Sequence, residues 1–275
     1  MDLNTITEIA HPRERDELPV WTAGDAWLAG GTWLFSEPQV HLTRLIDLTE
    51  LKWPALTVGD DSLTIAATCT VAELDAFPCP PEWIASPLIN QCCRAFLASF
   101  KIWKTATVGG NVCMSLPAGP MISLTAALDG ICTIWSADGS ERKIGVADFV
   151  IGNNRNVLAP GDLLRAIELP LAALKRRAAF RQISLALLGR SAALLIGSVT
   201  SEGGLALTVT ASTVRPVRFA FPAIPDASEL RDALLHGIAE PTWHDDVHGK
   251  PAWRKHMTLR LAEEIRAELQ GGART

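Results

Sequence analysis

The chain has 275 residues, 48% of them hydrophobic and 20% charged, and its 25 basic and 30 acidic side chains leave a formal charge of −5. This is globular composition, enough for one large domain or two modest ones, and it excludes a disordered chain. The acidic balance excludes a basic footprint for nucleic acid or an anionic bilayer, and no apolar run approaches the roughly 18–20 residues of a membrane crossing.

The opening residues through Glu17 are polar and charged with no apolar segment of an export signal, so a cytoplasmic protein is expected. Ala26–Leu28 predicts a short strand running into Ala29-Gly30-Gly31-Thr32. Leu45–Leu48, Leu56–Val58 and Leu63–Ala67 predict further strands, with Asp60-Asp61 turning between the last two. Thr70 with Glu73 is a capping-box pair, so a short helix starts there and stops at Pro78, Pro80 and Pro81.

The spacing of Leu88, Ile89, Cys92, Ala95, Phe96 and Ser99 predicts a helix over Pro87–Phe100. Lys101–Val108 then leads into Gly109-Gly110-Asn111. A helix over Met121–Leu128 ends at the Asp129-Gly130 cap signal. Ile131–Ser136 and Arg142–Val146 read as a hairpin, and the charged strand Asp162–Leu169 is closed by Pro170.

After Leu171–Arg177 the texture changes. The β-like runs Ala178–Ile183, Ala192–Thr200 and Leu205–Ser212 lead into a polar stretch punctuated by prolines. Trp253–Leu269 predicts an amphipathic helix with Met257, Leu261, Ile265 and Leu269 on its buried face. A boundary near 170–178 follows, with a larger front domain and a smaller α+β tail domain.

Two glycine pairs carry chemical potential: Ala29-Gly30-Gly31-Thr32 and Thr107-Val108-Gly109-Gly110-Asn111. Paired glycines remove two Cβ atoms and permit positive φ, so backbone N–H groups can converge on an anion such as a diphosphate. Each pair is equally readable as a plain tight turn, and both readings stay open on the residues alone. No G-x-G-x-x-G follows a strand, and Gly249-Lys250 is followed by Pro251, so the dinucleotide-binding Rossmann and P-loop signatures are absent. His244-Asp245-Asp246-Val247-His248 resembles a helical zinc site, but Pro241, Gly249 and Pro251 leave no room for the helix, and no metal site is expected. Cys69, Cys79, Cys92, Cys93, Cys113 and Cys132 include no C-x-x-C pair and read as free thiols. Nothing in the pattern explains nine tryptophans beside no tyrosine.

AGGTWLF (Ala29–Phe35), KIWKTATVGGN (Lys101–Asn111) and FVIGNNRNVLAPGDLLRAIELP (Phe149–Pro170), in this order, resemble a known family. It is the FAD-binding (medium) subunit of the molybdenum hydroxylases, the flavoprotein subunit of the xanthine dehydrogenase and carbon monoxide dehydrogenase family. The resemblance covers about residues 26–170 and continues more weakly through Phe180–Gln182, Gly189–Ala193 and the C-terminal helix.

The resemblance implies an α+β chain. Residues 1–172 would form a vanillyl-alcohol-oxidase (PCMH)-type FAD-binding fold of two subdomains, split near 55–60. Residues 173–275 would form the C-terminal domain of carbon monoxide dehydrogenase flavoproteins. Ala29, Gly30, Gly31, Thr32, Trp33 and Leu34 would make the first diphosphate loop. Thr107, Gly109, Gly110 and Asn111 would make the second. Leu164 falls where the family has an apolar contact near the flavin, and Arg181 where members often carry a lysine. The chain departs from the pattern at Trp33, where a small polar residue is usual, and at Pro120 and Leu116, where members carry acidic residues.

The function so implied is electron transfer. An iron–sulfur small subunit would deliver electrons from a molybdopterin large subunit, and FAD would pass them to NAD, oxygen or a quinone. No acid–base catalyst is expected here, and the cysteines lack cluster-ligand spacing, so any iron–sulfur relay lies on another chain. Two alternatives stand beside this. One is a flavin-free assembly subunit of the same fold, favoured by Trp33 and Pro120. The other is a stand-alone FAD oxidase, which needs a base where the front domain has only His11 and His41.

Overall fold

A computed structural model describes residues 3–271. Strands β1 (Glu8–Ala10), β2 (Asp25–Leu28) and β3 (Arg44–Asp47) form a parallel sheet with β3 in the middle. The Arg44 guanidinium holds the start of this sheet by a two-pronged contact to the buried Asp25 carboxylate, at 2.8 and 2.6 Å. The sequence predicts β2 and β3 but not β1, whose residues are mostly exposed and give no apolar signal.

The chain continues through β4 (Leu56–Val58), β5 (Ser62–Ala66) and a run of helices: α1 (Val71–Asp75), α2 (Pro87–Ala95), α3 (Phe100–Trp103), α4 (Val108–Met114) and α5 (Pro120–Ala127). It then forms β6 (Ile131–Trp135), β7 (Glu141–Gly145), α6 (Val146–Phe149), the small pair β8 (Val150–Gly152) and β9 (Arg155–Asn156), β10 (Leu163–Pro170) and α7 (Leu171–Leu174). Strands β4-β5-β10-β6-β7, in that order, make an antiparallel sheet. The Thr70 capping box is present in full, with Glu73 returning a carboxylate oxygen to the Thr70 N–H.

Two expectations are corrected here. The helix predicted to reach Phe100 ends at Ala95, because Leu97 and Phe100 point to solvent and no buried face continues the periodicity. The second glycine pair lies inside the first turn of α4 rather than in an open loop.

Helix α5 is buried on every side, one face against the helices of its own layer and the other against the next sheet. Beyond its far end Asp129 pairs with Arg176 and Arg218, and Ser123 meets Thr210 at 2.6 Å. That next sheet is the antiparallel order β11 (Ala178–Ile183), β12 (Ala193–Val199), β13 (Leu205–Thr210) and β14 (Val217–Phe221). Helices α8 (Ala227–Gly237) and α9 (Pro251–Gln270) cover it. Met257, Leu261, Ile265 and Leu269 of α9 are buried as their spacing predicts. The polar stretch before α9 holds β14 and α8, which the prolines at 216, 222 and 225 obscure by bounding the strand and preceding the helix.

Candidate functional site

The first glycine segment leaves the end of β2. Gly31 has φ +66°, and the Phe35 N–H donates to the Gly31 carbonyl at 2.9 Å. This turns the backbone while the N–H groups from Gly30 through Leu34 find no protein acceptor among the described residues. A row of free amides on a curved backbone is an anion cradle. Gly30 rests directly on the Thr105 carbonyl oxygen: a Cβ there would lie 1.8 Å from it. Ala106 and Thr107 follow Thr105 immediately. The two glycine segments, far apart in sequence, therefore stand against one another.

The second segment is built differently. Thr107 caps α4, its hydroxyl accepting from the Gly110 N–H at 3.0 Å. The Val108 N–H donates to Cys69, Gly109 to Ala67 and Asn111 to Thr107. Every amide from Val108 to Asn111 is thus already committed. The glycines serve close packing instead, because a Cβ on Gly109 would lie 2.5–2.6 Å from Ala67. Asn111 accepts the Met121 N–H through its side-chain oxygen at 3.1 Å, which ties α4 to the start of α5. Pro120 occupies the first position of α5, where a proline costs no hydrogen bond.

Of the other expected residues, Trp33 is 37% exposed at the rim and Thr107 is buried. Leu164 is a core side chain, 2% exposed. Arg181 points to α9, where it pairs with Glu264 at 3.1 Å and Glu268 at 2.6 Å. The structure thus brings Ala29–Leu34 and Thr107–Asn111 together, with Leu164 in the adjoining core and Arg181 on the α9 side of β11.

A cavity of about 210 Å³ opens beyond the C-terminal end of α4, between Leu116–Ala118 and the strand ends of the last sheet. Its wall includes Ala211, whose φ of +64° is rare for a residue with a Cβ. The strain is held from both sides: the Ala211 N–H donates to Pro117, and its carbonyl accepts from the buried Arg254. Arg254 also contacts Asp246, which accepts from the His248 N–H and faces His244 Nε2 at 3.2 Å. Burial pushes the His244 pKa down, against the pull of Asp246. The His244–His248 segment forms no helix, in line with its flanking prolines and glycine. Among the described residues no His, Cys, Asp or Glu side chains group to hold a metal. No described helix is long and apolar enough to cross a membrane.

Sequence reasoning missed Thr105 and Ala67, which contribute backbone only and leave no side-chain signal.

The chain is a mixed α+β protein whose fold recurs among solved structures. Its fold is shared with a chain of quinoline 2-oxidoreductase from Pseudomonas putida 86, at TM-score 0.80 and 18% identity over 100% of both chains. It is shared with carbon monoxide dehydrogenase from Oligotropha carboxidovorans, in reconstituted form, at TM-score 0.77 and 19% identity over 94% of this chain and 97% of that one. The Hydrogenophaga pseudoflava carbon monoxide dehydrogenase gives TM-score 0.76 and 16% identity, covering 97% and 98%. No curated protein matches the sequence. Residues 16–172 match the FAD binding domain in molybdopterin dehydrogenase, and the chain belongs to that family.

Proposed function

We propose that the chain is the FAD-bearing electron-transfer subunit of a molybdopterin-dependent hydroxylase or dehydrogenase. The observation that carries this reading is the cradle: free amides from Gly30 through Leu34, closed against Thr105 by a contact that only glycine permits. These donors suit a diphosphate, each charge-assisted bond contributing on the order of 1.5–3 kcal/mol. Ala29–Leu34 would hold the phosphates from one side. Thr107, Gly109, Gly110 and Asn111 would form the opposing wall through shape and the Thr107 hydroxyl. Leu164 and Arg181 join this set by resemblance.

In this reading residues 1–172 form the PCMH-type pair of subdomains and 173–275 the covering domain. The cavity beyond α4 lies about 10 Å along the helix axis from Thr107, at 1.5 Å per residue, a span suited to the ring end of the dinucleotide. FAD, when bound, supplies one- and two-electron redox chemistry between an iron–sulfur partner and NAD, oxygen or a quinone. The chain's own residues bind it, orient it and limit water. Partner chains carrying iron–sulfur clusters and a molybdopterin belong to the same proposal, and a cytoplasmic location goes with it.

One observation favours the second reading, a flavin-free assembly subunit: the Val108–Asn111 amides are all engaged. Purification of the full chain with its native partners decides between them. Visible flavin absorbance and release of FAD on denaturation support the first reading; a colourless chain with normal assembly overturns it.

A further inference from the structure

Arg165 lies beside the second glycine segment, and its side chain has no ion-pair or hydrogen-bond partner among the described residues. It is the extra residue of a bulge in β10, between Leu164 and Ala166, the kind of irregularity that re-aims a side chain. Its carbonyl accepts the Ala67 N–H, and the Ala67 carbonyl accepts the Gly109 N–H, so its backbone adjoins the second segment. Its side chain turns to the other face. There the guanidinium stacks on Trp53 at 4.0 Å and reaches Trp135 at 5.7 Å. Both indoles pack on the Leu48–Leu51–Leu163 cluster, and so does Ala29, the first residue of the free-amide segment.

Several other arginines of this fold are paired with carboxylates. Arg44 pairs with Asp25, Arg142 with Asp162 and Arg254 with Asp246. Arg165 makes no ion pair or hydrogen bond among the described residues, and its buried Nη1 is left without an acceptor. A half-buried cation whose nearest carboxylate, Glu141, stays beyond ion-pair distance is costly, and burial pushes its pKa down against the pull of Glu141. Stacking on indoles recovers part of that cost but leaves the N–H groups unmet.

We infer that Arg165 is a cofactor-binding residue whose missing partner is the diphosphate of the dinucleotide, held between its guanidinium and the amides of Gly30–Leu34. This rests on the FAD reading above and extends it to a residue that neither glycine motif contains. Arginine suits the role because its planar fork can donate to a phosphate while its face stays on tryptophan.

The test uses the full chain freed of flavin, as wild type, Arg165→Met and Arg165→Lys, each titrated with FAD and melted to confirm folding. Arg165→Met is expected to bind FAD about ten- to a hundred-fold more weakly, and Arg165→Lys to regain most of that loss. Equal FAD affinity in wild type and Arg165→Met overturns the inference. So does equal weakening in both variants, which assigns the residue to packing. A wild type that binds no FAD defeats the parent reading as well, so the two failures are distinguishable.

Discussion

Gly30 and the Thr105 carbonyl oxygen occupy one contact so closely that a single methyl group on Gly30 would sit 1.8 Å from that oxygen. The obstacle is backbone, which cannot rotate aside. Gly30→Ala should therefore force the two glycine segments apart, lowering stability by about 1–3 kcal/mol and stripping flavin from the purified protein. Gly139→Ala is the control. Gly139 has φ +86° with open space around it, so alanine there costs about 1–2 kcal/mol of backbone strain and leaves flavin content unchanged. Thermal melting and the ratio of visible to ultraviolet absorbance read both effects.

The start of α4 joins helix capping to cofactor retention. A Cβ on Gly110 would lie 2.8 Å from the Thr107 hydroxyl that caps the helix. Gly110→Val should abolish flavin retention and destabilise the fold. Thr107→Ala removes the cap together with the wall hydroxyl and should cost about 0.5–2 kcal/mol in urea unfolding while weakening flavin retention. Full flavin occupancy in Gly110→Val would count against the cradle.

Acid should weaken the protein through named carboxylates. The Arg44 guanidinium holds Asp25 below the ordinary carboxyl range despite burial. Burial alone would raise Asp162 and Asp246, but Arg142 with nearby backbone amides lowers the first, and the His248 amide with Arg254 lowers the second. Groups depressed in the folded state contribute stability that is complete above their unfolded pKa of about 3.9 and is lost as pH falls through the folded value. Asp246→Asn should leave Arg254 without its carboxylate, costing about 3–5 kcal/mol at neutral pH. The same variant should lose less stability than wild type between neutral pH and pH values below about 4. Urea unfolding across that range measures both.

Thiol chemistry should be slow in the folded chain. Cys69, Cys92, Cys93 and Cys132 are buried, and burial raises each thiol pKa, with Cys69 and Cys93 pushed up to about 12. Alkylation near pH 8 followed by mass spectrometry should leave these four unmodified until denaturant is added.

How much of this was legible depended on where each signal resided. The Thr70–Glu73 box, the β11 run and the buried face of α9 were readable because local spacing and burial agree there. Gly109-Gly110 was readable as special but not as helical: what fixes it is the approach of Ala67, a contact across the sheet that spacing cannot encode. Arg165 was hidden for the same reason. Its meaning depends on Trp135, brought beside it by the pairing of β6 with β10, and on Trp53 from the segment before β4. Those two indoles, with Trp21 tilted against Trp27 at 5.0 Å, also give part of the tryptophan excess a location between the first two sheets.

Helix α5, dry along its whole length, has one end fastened to Asn111 and the other, through Asp129, to Arg176 and Arg218. A strut without a wet side cannot hinge. Ligand arrival at the nucleotide cradle should accordingly register at the far end of α5, as slowed amide exchange around Asp129 and Arg218.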